Sequence, residues 1–96
     1  MNKDQVKTYY TTCRFIFNHY GEEAQKQQLI QELAELIVAI TKNDIENIIE
    51  ELADVQIMFD QFTINKKDLY DKMELMQIKK VSRQVKRIME EKEKNK

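Results

Sequence analysis

Proline is absent from the 96 residues, tryptophan is absent, and glycine and cysteine occur once each. Without proline, and with Gly21 alone, the chain lacks the residues that hairpins and tight turns draw on most. That excludes an all-β sandwich or barrel and a glycine-rich loop cradling phosphate. The lone Cys13 cannot close an internal disulfide, so a reducing, cytoplasmic setting is expected. Neither sign of charge dominates: 16 Lys+Arg stand against 17 Asp+Glu, for a net charge of -1. No general attraction to nucleic acid or to a membrane surface follows from that balance. The longest unbroken apolar run, Leu36 to Ile40, has five residues, and a bilayer-spanning helix needs about 20. The opening residues Met1 to Gln5 contain no apolar stretch, so no signal peptide is expected.

What is present is a composition for packing: 42% hydrophobic and 34% charged residues, too apolar for a disordered chain. The length suits one domain, and a domain of this size buries roughly 60–70% of its extended-chain surface, so self-association is expected to help it. Apolar residues recur at helical spacing from about Asp4 to Tyr20 (Val6, Tyr9, Tyr10, Cys13, Phe17, Tyr20), and Gly21 is placed to stop that helix. A second helix is expected from about Glu22 to Thr41. Asn43 followed by Glu46 has the form of a capping box and predicts a third helix running to about Ile64. Asn65 followed by Asp68 repeats that form and predicts a fourth, to about Glu91. Residues 92–96 are all charged or polar and are expected to fray. The short connections predict an all-α fold, an antiparallel four-helix bundle forming a single domain over residues 1–91.

The second helix carries the most information. Nine of the twelve residues from Leu29 to Ile40 are apolar, and the exceptions are Gln31, Glu32 and Glu35. A helix apolar nearly all round is expected to be buried. Glu32 and Glu35 stand three apart and share a face, where like charges repel. No lysine or arginine lies between Leu29 and Thr41 to neutralise them. Glu51 and Asp54 repeat the arrangement on the third helix, among Ile48, Ile49, Leu52, Ala53 and Val55. Two antiparallel helices would turn these four carboxylates towards one another. Four such groups cannot all stay ionised without a counter-charge. Mg²⁺ or Mn²⁺, hard ions that prefer oxygen ligands, would supply it. The plain alternative is a pair of solvated acidic stripes, or pairing of these acids with lysines of another helix.

Gln31-Glu32-Leu33-Ala34-Glu35-Leu36, followed by Glu50-Glu51-Leu52-Ala53-Asp54, resembles the MazG-like nucleotide pyrophosphohydrolases. That all-α superfamily also includes the dimeric dUTPases and phosphoribosyl-ATP pyrophosphatase. Its signature is E-E-x-x-E and then E-x-x-D. Tyr20-Gly21 with Gln25 is also similar to the short MazG-like proteins. Gln31 stands where the signature has its first glutamate, a departure that bears on the subfamily more than on the metal site. The resemblance spans about Tyr20 to Phe62. It implies a MazG-like bundle assembled as a homodimer or homotetramer, and Mg²⁺-dependent hydrolysis of an NTP or dNTP to the monophosphate and pyrophosphate. Glu32, Glu35, Glu51 and Asp54 would be both the metal ligands and the catalytic set. Gln25 would contact nucleotide, and Lys79, Arg83 and Lys86 of the fourth helix would reach its phosphates.

Each of these has a plainer role beside it. Lys79, Lys80, Arg83, Lys86 and Arg87 flank an apolar seam of Ile78, Val81, Val85 and Ile88, as a solvated face would. That seam is too short to argue for a coiled-coil adaptor. Five of the eight aromatics (Tyr9, Tyr10, Phe15, Phe17, Tyr20) fall in the first helix, where core packing is the expected task for most and base stacking the alternative. His19 suits a helix C-terminus, Gln25 a surface position, and Cys13 the core. A reading from another class sits beside the enzyme: a catalytically silent helical dimer that binds nucleotide or a protein partner.

Overall fold

A computed structural model describes residues 1–95 as four helices, α1 (Lys3–Tyr20), α2 (Glu22–Lys42), α3 (Ile45–Thr63) and α4 (Lys67–Lys94), with no strand among the described residues. The helices group into two compact units, one spanning Met1–Lys66 and one beginning at Lys67. Helices α1, α2 and α3 pack together in the first unit. The second is α4, which at 28 residues is ~42 Å long. It continues through Lys94, past the expected end near Glu91; residue 96 lies outside the described residues.

The turns follow from a few capping residues. Asn2 and Gln5 form a reciprocal box at the start of α1: the Gln5 backbone N–H donates to Asn2 Oδ1 at 2.8 Å, and the Asn2 N–H donates to Gln5 Oε1 at 2.9 Å. Gly21 ends α1 as expected, its N–H donating to the Phe17 carbonyl at 2.8 Å. Its φ of 91° and ψ of 162° fall in a region that essentially only glycine occupies. The junction of α2 and α3 departs from expectation. Asn43, expected to open α3, instead adopts the left-handed conformation (φ 60°) and closes α2, its N–H pointing at the Ala39 and Ile40 carbonyls. Asp44 caps α3 instead, its Oδ1 accepting from the Asn47 N–H at 3.3 Å. Asparagine tolerates φ > 0 and aspartate does so less readily, so two adjacent capping residues divide the two tasks. Nor does Asn65 open α4, which begins at Lys67; its Oδ1 accepts from Arg14 Nε at 3.4 Å.

Side-chain pairs set the relative directions in the first unit. Glu22 bonds Lys66, Gln25 bonds Gln61, and Glu35 approaches Glu51, so α3 runs antiparallel to α2. Tyr9 bonds Asp60 and Arg14 bonds Asn65, so α1 runs parallel to α3. The centre of this packing is small and partly polar. Cys13, Ala39 and Met58 are its buried apolar residues, beside buried Gln25, Gln61 and Thr63. Gln25 Nε2 donates to Gln61 Oε1 at 2.7 Å, which gives each a partner away from water. The Tyr9 hydroxyl donates to Asp60 Oδ2 at 2.6 Å, and Gln56 Nε2 donates to the other Asp60 oxygen at 2.9 Å. Burial chiefly, and then the Asp60 carboxylate, hold the Tyr9 phenol protonated well above its usual range. Burial likewise pushes the Cys13 thiol up.

The expectation that α2 is buried does not hold within the first unit. Only Gln25 and Ala39 of α2 are buried, while Ile30, Leu33, Ile37 and Ile40 form an exposed stripe with Ile37 at 65% exposure. Ile45, Ile49 and Leu52 form another on α3. The physical reason is coverage: α1 and the facing helix touch one side of α2 and of α3, and the far apolar stripes have nothing within the unit to lie against. The aromatics of α1 are also more exposed than expected, with Phe15 at 72%, Tyr20 at 63% and Tyr10 at 43%. His19, in the last turn of α1, stands edge-on to Tyr20 with ring centroids 4.8 Å apart.

Candidate metal centre

Glu32 and Glu35 lie one turn apart on α2, and Glu51 lies on the facing side of α3. One carboxylate oxygen from each sits within 4.8 Å of the other two. The antiparallel pairing makes this unavoidable. The register that brings Gln25 to Gln61 and Glu22 to Lys66 also brings the middle turns of α2 and α3 together.

The electrostatics of this cluster are those of a site short of positive charge. Glu51 is pushed up to about 6, first by desolvation and then by the negative charges of Glu35, Glu32 and Asp54. Glu32 Oε2 and Glu51 Oε2 are buried with no hydrogen-bond partner. A buried carboxylate oxygen without a donor is costly, and native structures seldom leave one so. Ion pairs among the described residues are Lys26 with Glu23 and Lys66 with Glu22, neither at the cluster. Lys66 also lies over the Phe62 ring, 4.1 Å from its centroid, and it holds the exposed Glu22 carboxyl below its ordinary range. The donor set at the cluster is three carboxylates from rigid helices, two of which carry a buried unpaired oxygen. Those are the groups that Mg²⁺ or Mn²⁺ takes, so the residues fit such an ion.

Of the four carboxylates named from sequence, the structure brings three together. Asp54 is exposed and stands outside the trio, though near enough for its charge to raise Glu51. Gln25, read from sequence as a surface residue in its plain role, is only 8% exposed and bonded to Gln61. Lys79, Arg83 and Lys86 are exposed on α4. Two features escaped the sequence reading. Gln28 Nε2 donates to Glu32 Oε1 at 2.7 Å, a contact that its position four residues earlier on the helix could have signalled. A cavity of about 370 Å³ opens beside the cluster, lined by Gln31, Glu35, Val38, Lys42, Asn47 and Glu51. Lys42 and Asn47 reach it because α2 and α3 turn back on each other at Asn43 and Asp44, which spacing alone did not reveal.

The class the fold defines is an all-helical chain whose two central helices bring acidic turns together across a shared interface. The family model for the MazG nucleotide pyrophosphohydrolase domain matches residues 20–94, and the chain belongs to that family. No curated protein and no solved structure matches it. Family membership makes this a nucleotide pyrophosphohydrolase domain, a class in which divalent-metal dependence is general.

The raised Glu51 acid makes a test of the cluster's charge. Its folded value of about 6 exceeds its ordinary 4.5, so ionising it opposes folding. That penalty is present at neutral pH and fades as pH falls through about 6 towards 4.5. In chelator, Glu51→Gln should therefore melt higher than the wild-type chain at pH 7.5, with the gap closing by pH 4.5. The same variant should lose the rise in melting temperature that saturating Mg²⁺ gives the wild type, roughly 10–20 °C at a hundredfold excess over Kd. Thermal melts by circular dichroism across pH, with and without Mg²⁺, read both.

Proposed function

We propose that this chain is a Mg²⁺-dependent nucleoside triphosphate pyrophosphohydrolase, cleaving an NTP or dNTP to its monophosphate and pyrophosphate. The observation that supports the reading most is the meeting of Glu32, Glu35 and Glu51, two of them with buried unpaired oxygens, in a chain of the MazG family. Glu32, Glu35 and Glu51 hold the ion, and Asp54, one turn beyond Glu51, adds a fourth carboxylate at the exposed edge. A bound Mg²⁺ neutralises phosphate charge and makes a coordinated water more acidic, and Mn²⁺ serves the same chemistry. The carboxylates repel a triphosphate on their own, so substrate binding is linked to metal binding. Lys79, Arg83 and Lys86 are suited to hold phosphate oxygens. Gln25, with its amide committed to Gln61, supports the packing of α2 on α3 rather than binding nucleotide directly. With a susceptible nucleotide and Mg²⁺, chromatography should find monophosphate and pyrophosphate in equal amounts. Orthophosphate with a diphosphate would contradict the reading. Binding without turnover would favour a silent nucleotide-binding dimer.

The working form in this reading is a cytoplasmic homodimer or homotetramer. The exposed stripes of α2 and α3, together with Leu75, Ile78, Val81, Val85 and Ile88 on α4, are what support it. Left wet, they forfeit about 25 cal/mol per Å² of apolar surface. A two-fold axis covers a patch on each copy at once. No helix among the described residues is long and apolar enough to cross a membrane. Light scattering at micromolar concentration should give at least twice 11.6 kDa. A stable active monomer would contradict the assembly.

A further inference from the structure

We infer that Gln28 is a positioning residue for the carboxylate cluster, holding one oxygen of Glu32 so that the other is presented to a divalent cation. The inference rests on the metal-binding reading above. Gln28 Nε2 donates to Glu32 Oε1 at 2.7 Å in a part-buried contact. The second oxygen of the same carboxylate, Oε2, is buried and has no partner. One oxygen is thus tied back along α2 and the other is left without a partner, in a carboxylate that offers one oxygen to the group it forms with Glu35 and Glu51.

The chemistry of the donor matters. The terminal torsion of a glutamate is soft, so an untethered carboxylate samples many orientations. An amide bonded to one oxygen removes that freedom before any ion arrives, in the way that outer hydrogen bonds orient metal ligands generally. Glutamine does this without charge. A lysine or arginine at residue 28 would orient Glu32 equally well but would cancel the negative charge that attracts the cation. Donor and acceptor also stand four apart on one helix, so the backbone fixes their separation. Gln31 offers an internal comparison. It stands one turn before Glu35 in the same way, yet its bond is 3.4 Å long and exposed, too long and too wet to hold a carboxylate firmly.

The test uses the full chain and Mn²⁺ alone, with free ion followed by electron paramagnetic resonance. Gln28→Met keeps length and bulk and removes the donor. It should weaken Mn²⁺ binding ten- to a hundredfold, and Gln31→Met should weaken it by less than about threefold, in keeping with its exposed bond. Equal affinity in Gln28→Met and the wild type would overturn the role of Gln28 and leave the metal site standing. Equal losses in both variants would also overturn it, because the effect would then be a general one of the helix surface. Failure of the wild type itself to bind would overturn the metal reading and this inference with it. A second measurement needs no variant, in case Gln28→Met folds poorly. On titration of the wild type with Mg²⁺, the Gln28 side-chain NH₂ resonances should shift more than those of Gln31. Unmoved Gln28 resonances during saturable binding would overturn the inference.

Discussion

Mutual repulsion among three carboxylates, with oxygens within 4.8 Å of one another between two packed helices, is the constraint on which the rest of the structure turns. The helices are rigid and the backbone cannot relax the separation. Two remedies remain, protonation or a counter-ion. The first is favoured by the cluster itself, which pushes Glu51 up to about 6 by desolvation and by the charges of its neighbours. The second is the remedy general in the family to which the chain belongs, and in the proposed function it would turn an electrostatic liability into a binding site. An acidic trio with a salt-bridged lysine would have been more comfortable and would have bound nothing.

The surrounding fold keeps the trio in place with a small and unusually polar interior. Gln25 with Gln61, and Tyr9 with Asp60, bind the three helices through specific hydrogen bonds where a larger core would use apolar bulk, and Gln56 holds the Asp60 carboxylate from within α3. Such bonds contribute modestly to stability, about 1 kcal/mol each, but they are exacting about register. A slip of α3 along α2 by one turn would break the glutamine pair and separate Glu51 from Glu32 and Glu35. The polar pairs therefore protect the site's geometry more than they stabilise the fold.

The helices were legible in the sequence because their periodicity is strong and the single glycine is unambiguous. The pairing of Glu32 and Glu35 with Glu51 was legible too, since acidic residues three apart in two adjoining apolar helices are drawn towards the same interface by their neighbours. The boundaries near Asn43 and Asn65 were not, for a local reason. Asn43 and Asp44 are both good caps, and only the backbone angle of Asn43 decides which task each performs. Burial of α2 was misjudged because periodicity reports which faces are apolar and not whether one chain can cover them. Asp54 shares the acidic spacing of Glu51, but the side chains that meet across an interface depend on helix rotation, which spacing does not specify. Gln28 was passed over because attention to charged residues leaves neutral donors unseen.

The central claim is that Glu32, Glu35 and Glu51 form one cation site. Isothermal titration of Mg²⁺ and Mn²⁺ into the chelator-stripped chain tests it most directly, beside Glu32→Gln and Glu35→Gln. The account predicts saturable binding by the wild type, lost in each variant while both keep their helical content. Wild-type protein that is folded and shows no saturable binding, or variants that bind as the wild type does, would contradict it.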